Sequence, residues 1–269
     1  MRASSIADTA QVGVGDPMFE AFDRTWRVFG TGLSFAVFGL GGLALRLLVF
    51  PLLQIGVRNA ARRRVLVRLL VQRSFAGFIQ MMRFLGVLRY EIHGRERLQR
   101  EGLLVLANHP TLLDVVFLIA QIPNADCIVK SALLRNPFMR GPVLAAGYVF
   151  NDTGSGLIED CVAAVRHGGN LVIFPEGTRT RRGKPLRLQR GAAHVALRGG
   201  FNITPVRICC EPMSLGKGEK WYRVPPRRML FSLHVGADIP VAGFRTGAVD
   251  DSAAARRLTE HLADYFSGE

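Results

Sequence analysis

The feature that most constrains this chain is a stretch of thirty residues between Arg27 and Arg58 that carries a single charge, Arg46. Its first part, Val28 to Leu45, would form a helix of ~27 Å at ~1.5 Å per residue, close to the ~30 Å hydrocarbon thickness of a bilayer. Arg46 would then snorkel toward the head groups. The segment reads as a retained anchor and not a cleaved leader, because what precedes it is long and carries Asp8, Asp16, Glu20 and Asp23, and arginines follow it. Pro51 breaks or restarts the helix, so a single span, a re-entrant hairpin and a pair of buried core helices all remain open.

The flanks differ in charge. Arg58, Arg62, Arg63, Arg64, Arg68 and Arg73 follow the segment with no acidic residue among them. The positive-inside rule therefore places everything after Arg58 in the cytoplasm. Val65 to Leu88 is again apolar but interrupted by Arg68, Arg73 and Arg83, which predicts an amphipathic helix lying in the membrane interface. Gly39-Leu-Gly41-Gly-Leu-Ala44 matches a dinucleotide-binding fingerprint, but no strand precedes it and it is discarded.

Composition narrows the partners. A chain of 269 residues that is 49% apolar is neither too small for a core nor disordered, and a formal charge of +14 calls for an anionic partner. Nucleic acid is disfavoured, since no reader motif is present and no aromatics interleave with the arginines. The charge is also local: Arg58–Arg73 and the run from Arg179 to Arg190 each hold six cations and no carboxylate. Cys127, Cys161, Cys209 and Cys210 have no metal-ligand spacing and read as thiols in a reducing compartment; no metal is expected.

From about Tyr90 the pattern becomes alternating. Strands are predicted at 102–107, 127–130, 148–150, 171–174, 203–208 and 230–235, with helices at 114–121, 156–167, 190–198 and 252–266. The expected fold is α/β, a mixed and mostly parallel sheet flanked by helices, with an N-terminal membrane-anchoring helical segment. The expected divisions are an N-terminal tail at 1–27, a membrane span and interfacial helix at 28–89, and a catalytic domain at 90–269.

Two segments sit where a strand runs into a turn. In Val105-Leu-Ala-Asn108-His109-Pro110-Thr111-Leu-Leu-Asp114 an imidazole occupies the loop and a carboxylate follows in the first helical turn. The carboxylate can fix the ring's tautomer while the free nitrogen draws a proton from a hydroxyl. Capping of the helix by Thr111 and Asp114 explains the same residues, and the two readings stand level. In Leu171-Val-Ile-Phe174-Pro175-Glu176-Gly177-Thr178-Arg179-Thr180, Glu176 can orient a hydroxyl or an amide, Gly177 lets a ligand approach the backbone, and Arg179 suits a phosphate or a carboxylate. His93, His167, His194, His234 and His261 show no paired carboxylate and read as structural or surface residues.

Asn-His-Pro-x-x-x-Asp, followed some sixty residues later by Phe-Pro-Glu-Gly-Thr-Arg, resembles the glycerolipid acyltransferase family typified by 1-acyl-glycerol-3-phosphate acyltransferase. The resemblance covers roughly 85–237. It implies transfer of a fatty acyl group from an acyl-coenzyme A (acyl-CoA) or acyl carrier protein thioester to a lysolipid hydroxyl, without cofactor or metal, at a membrane. By that similarity His109 is the general base and Asp114 its orienting partner, while Glu176, Gly177, Thr178 and Arg179 bind the acceptor's polar head. Ile203-Thr204-Pro205-Val206 matches the family's last motif and would line the acyl path. One position departs: Gly147-Tyr-Val-Phe150-Asn-Asp152-Thr153 has threonine where the family's second motif carries a phosphate-binding arginine. The acceptor is therefore either 1-acyl-sn-glycerol-3-phosphate, with the basic run after Arg179 compensating, or another lysolipid such as an amino-acid-based one. A basic lipid-binding membrane protein without catalysis is the remaining alternative. The implied location is the bacterial inner membrane, with the catalytic domain facing the cytoplasm.

Overall fold

The computed structural model describes residues 17–151, 156–180, 183 and 185–268. Asp152, Thr153, Arg181, Arg182, Lys184 and the first sixteen residues lie outside them, so the departure at Thr153 is not placed.

A seven-stranded sheet has the order β1-β7-β6-β2-β5-β3-β4. Its strands are β1 (Leu88–His93), β2 (Leu104–Ala107), β3 (Ala125–Val129), β4 (Val149–Phe150), β5 (Asn170–Ile173), β6 (Ile203–Glu211) and β7 (Met229–Val235). Every neighbouring pair is parallel except β6 with β7, so β1 and β7 run against the other five. The alternation of the strands partitions two cores. Val105 and Ala107 of β2 and Val172 of β5 face one cluster, whereas Leu104, Leu106, Leu171 and Ile173 face the other. Two buried faces explain why these strands read as continuous apolar runs.

Helices cover both faces. The second cluster is closed by α6 (Leu157–Arg166), α7 (Gly191–Gly199), α8 (Ala242–Arg245) and α9 (Asp251–Ser267). The first is closed by α3 (Ala60–Phe84), α4 (Asp114–Gln121) and α5 (Pro137–Ala146), together with the N-terminal helices α1 (Pro17–Ala44) and α2 (Phe50–Gly56).

The N-terminal segment differs from its expectation in three ways. First, α1 starts at Pro17, ahead of Val28, and joins α2 through a π-helical turn, Leu45–Val49. Pro51 has no N–H to offer its own preceding turn, and the wider π turn just before it absorbs that defect without breaking the rod. Second, the rod does not project from the domain. Trp26 Nε1 donates to the Leu85 carbonyl (3.0 Å), Phe38 meets Phe75 and Phe78, and Arg63 donates to the Val57 carbonyl, so the rod and α3 form an antiparallel hairpin. Arg46 does not snorkel outward: it donates to the Pro137 carbonyl of α5 at 2.9 Å. Third, α3 is a core helix and not a free interfacial one. Val67, Val71, Phe75, Phe78, Ile79 and Met82 form one buried stripe at helical spacing.

Arg68, on that stripe, is withdrawn from any topology-setting charge run. Its guanidinium is buried, pairs with buried Asp126 on β3 and donates to the Ala146 carbonyl at the end of α5. Within the discarded fingerprint Gly42 has a packing role, since a Cβ there would lie 2.7 Å from the Phe138 carbonyl oxygen, whereas one on Gly41 would meet nothing within 4 Å. What the rod turns outward is apolar: Phe22, Phe29, Leu40, Leu52 and Ile55 are exposed, Ile55 to 79%. Both the rod over Ala21–Gly56 and α3 are long and apolar enough to cross a membrane, the rod being the less buried.

Candidate active site

β6, β2 and β5 lie side by side and parallel, so their C-terminal ends open on one edge of the sheet. That edge is where open α/β sheets place ligands. The loop after β2 carries His109, the loop after β5 carries Glu176, and the loop after β6 closes the third side. The Asn108 side chain locks the first of these loops to strand β6 by donating to the Ile208 carbonyl (2.8 Å) and accepting from the Ile208 N–H (2.7 Å).

His109 Nδ1 lies 2.8 Å from Asp114 Oδ2. Asp114 is completely buried, and His109 keeps 16% of its side-chain surface. The Thr111 N–H donates to Oδ2 at 2.7 Å and the Thr111 hydroxyl to Oδ1 at 2.6 Å, while that hydroxyl accepts from the Leu113 N–H. Both carboxylate oxygens thus act as acceptors, which assigns the ring proton to Nδ1 and leaves the Nε2 lone pair free. Burial pushes the Asp114 carboxyl above its ordinary range, and the bonds from His109 and Thr111 pull against that shift. The same carboxylate holds the imidazole and the Thr111 main chain, while the N-cap of α4, Leu113, has no side-chain cap bond. Phe174 stacks on the imidazole at 4.2 Å between ring centres and limits its rotation.

The loop after β5 does something the sequence did not predict. Glu176 is nearly buried, at 8% exposure, and its Oε1 accepts the His109 backbone N–H at 2.8 Å. The Thr180 hydroxyl donates across both Glu176 oxygens, and the Thr180 N–H donates to the His109 carbonyl at 2.7 Å. Glu176 therefore clamps the main chain of His109. Arg179 is likewise partly committed. Its NH1 donates to the carbonyls of Leu215 (3.0 Å) and Gly216 (2.9 Å), and Leu215 also receives the Leu112 N–H. This arginine ties the loop after β5 to the loop after β6, and the Leu112 N–H joins the loop after β2 to the same Leu215 carbonyl.

The open rim consists of Gly177, Thr178 and Lys217. Gly177 has φ +66°, so a side chain there would be strained. Lys217 Nζ donates to Thr178 Oγ1 at 2.8 Å, putting an ammonium beside the backbone that Gly177 leaves bare. Lys217 and Thr180 were missed from the sequence; the one available signal for Lys217 is that the chain has only four lysines, Lys130, Lys184, Lys217 and Lys220. Thr204, Pro205 and Val206 sit buried in the centre of the sheet beside Val105, Leu106 and Ala107. Among the described residues, no cluster of three or more acidic, histidine or cysteine side chains could hold a metal.

Fold and site together define an α/β domain with a carboxylate-oriented imidazole at its strand ends. Residues 89–209 match the family model described as Acyltransferase, so this segment is an acyltransferase domain similar to those of the glycerolipid acyltransferase family. It is 27% identical to the 1-acyl-sn-glycerol-3-phosphate acyltransferase of Borreliella burgdorferi over 48% of this chain and 55% of that protein. It is 33% identical to the enzyme of that name from Helicobacter pylori over 38% of this chain and 46% of that one. The chain spans about half the length of these curated relatives. The crystal structure of the 1-acyl-sn-glycerophosphate acyltransferase PlsC from Thermotoga maritima superposes with a TM-score of 0.66 at 15% identity, covering 92% of this chain and 97% of that one, which shows a shared fold.

Proposed function

We propose that this chain transfers a fatty acyl group from an acyl-CoA or acyl carrier protein thioester to the free hydroxyl of 1-acyl-sn-glycerol-3-phosphate, giving phosphatidic acid, at the cytoplasmic face of a bacterial inner membrane. The observation that carries the reading is the His109–Asp114 pair, with Nδ1 committed to the carboxylate and Nε2 free. Nε2 takes the acceptor's hydroxyl proton as the oxygen attacks the thioester carbonyl. Collapse of the tetrahedral adduct expels the thiolate, which recovers the proton from Nε2, so no side chain ends the cycle altered. A thioester is already activated, and the protein's task is to align two amphiphiles and deprotonate one.

Thr178 and Lys217 at the rim, with the neighbouring Arg179 and the bare backbone at Gly177, are the groups suited to the acceptor's phosphate. An apolar cavity of about 250 Å³ between α1, α3 and α5, lined by Phe38, Phe75, Phe78, Met81 and Phe138, fits an alkyl chain. The outward apolar face of the rod supports attachment to the bilayer that holds acceptor and product.

The test is acceptor-dependent thiol release. Protein in nanodiscs should liberate thiol from an acyl thioester only when the lysolipid is supplied, with the acceptor's mass rising by one acyl group. Release with an amino-acid-based lysolipid and none with 1-acyl-sn-glycerol-3-phosphate would transfer the same mechanism to another acceptor.

A further inference from the structure

The loop between β6 and β7 carries Lys220-Trp-Tyr-Arg223-Val-Pro-Pro-Arg227-Arg228, nine residues with four cations and no carboxylate. Every one of those cations is exposed, as are Trp221 and Tyr222. Two large amphipathic rings and four cations together in water are the composition of a membrane-interface anchor, in which rings sit at head-group level and cations meet lipid phosphates.

The loop is held against the apolar rod. Arg27 of α1, almost completely buried, donates through NH1 to the Pro225 carbonyl (2.6 Å) and through NH2 to the Pro226 carbonyl (2.8 Å), while Asp23 holds its Nε at 3.0 Å. Trp221 lies on α1 at Gly32, where a Cβ would come within 3.1 Å of the indole ring. Phe29 and Leu33, the neighbours of that contact on α1, are exposed. The basic aromatic loop and the apolar face of the rod are therefore parts of one surface. At the loop's start, Lys217 reaches the Thr178 rim of the site.

We propose that Lys220–Arg228 is a second membrane-contacting element that binds the anionic lipid surface, with Trp221 at head-group depth and Arg223, Arg227 and Arg228 on lipid phosphates. The proposal rests on the reading of the rod as membrane-embedded. It gives the +14 charge a local partner at the membrane-facing surface. It also sets the rim of the site at the lipid surface from which an anionic acceptor arrives.

Trp26 and Trp221 are the only tryptophans, so a Trp26→Phe protein reports on the loop alone. The full chain is placed in nanodiscs of phosphatidylcholine, with and without phosphatidylglycerol, containing lipids brominated high on the acyl chain. Trp221 fluorescence should be quenched more strongly in the anionic discs. The added quenching should vanish in the Arg223→Gln, Arg227→Gln, Arg228→Gln protein and in high salt. A parallel protein with Trp26→Phe, Trp221→Phe and Leu40→Trp reports on the rod. Quenching of the Leu40→Trp reporter with none at Trp221 leaves the rod in the membrane and overturns the loop proposal. No quenching at either position overturns the membrane reading itself. Equal quenching of Trp221 in neutral and anionic discs, or protection from iodide by coenzyme A in detergent without lipid, overturns the anionic lipid surface as the partner.

Discussion

The strand-end site and the N-terminal rod depart from the ordinary partition of residues in opposite directions. At the site, carboxylates are buried: Asp114 has no exposed surface and Glu176 has 8%. On the rod, large apolar side chains face outward, with Phe22 at 69% exposure and Ile55 at 79%. In water each is costly, the first through desolvated charge and the second through hydrated hydrocarbon. The first cost is offset inside the molecule, because every Asp114 and Glu176 oxygen has a donor. No described part of the chain covers the rod's outer face, which a bilayer would cover. The difference separates a site built by internal hydrogen bonding from a surface completed by its surroundings.

Predictions that break one region or the other should scale accordingly. The largest belongs to the dyad. Asp114→Asn should cut turnover by about 10²–10⁴-fold, because the amide no longer fixes the Nδ1–H tautomer. Its effect on stability should depend on pH. A carboxyl raised on folding contributes stability that is fully present below the unfolded value and lost as pH rises through the folded one. The stability difference between wild type and Asp114→Asn should therefore shift toward the variant as pH rises from acid to neutral, read from thermal midpoints at each pH.

Next comes the buried ion pair between α3 and β3. Arg68→Ala leaves Asp126 without its cation and should cost about 3–5 kcal/mol of stability, measured by thermal or denaturant unfolding. Burial already holds the Asp126 carboxyl above its ordinary range in spite of Arg68. Glu176→Gln should cost less, about 1–3 kcal/mol at most, because it weakens one clamp on the His109 main chain. As a positioning change it should lower kcat and leave KM for the acceptor near its wild-type value. A head-group ligand would do the reverse, so the kcat-against-KM split distinguishes the two. Smallest in stability is Leu40→Ser on the rod, within about 0.5 kcal/mol for an exposed position, while it should weaken retention of the protein on liposomes in a flotation assay.

Sequence patterning carried most of the sheet because both faces of β2, β5 and β6 are buried, and a short apolar run bounded by helical stretches is accommodated best as a strand covered on both sides. β1 was hidden because Leu88 follows α3 after a short turn and its apolar residues merge with the helical stripe. α5 was hidden by Pro137, Gly141 and Pro142, although Asn136 caps its start by accepting the Phe138 N–H at 2.9 Å. At the site the dyad was legible, since both members sit five residues apart in one loop. The duties of Glu176 and Arg179 were not, because their partners are backbone groups of His109, Leu215 and Gly216 delivered by other strand ends. A sequence displays which side chains are present but not which main-chain donors and acceptors the topology brings to them.

The central claim, that a carboxylate-oriented imidazole is the base, is tested most directly by acceptor-dependent thiol release from His109→Ala protein whose melting matches wild type. The account predicts a loss of about 10²–10⁴-fold in turnover with the acceptor still bound. Undiminished release from that folded variant would contradict it.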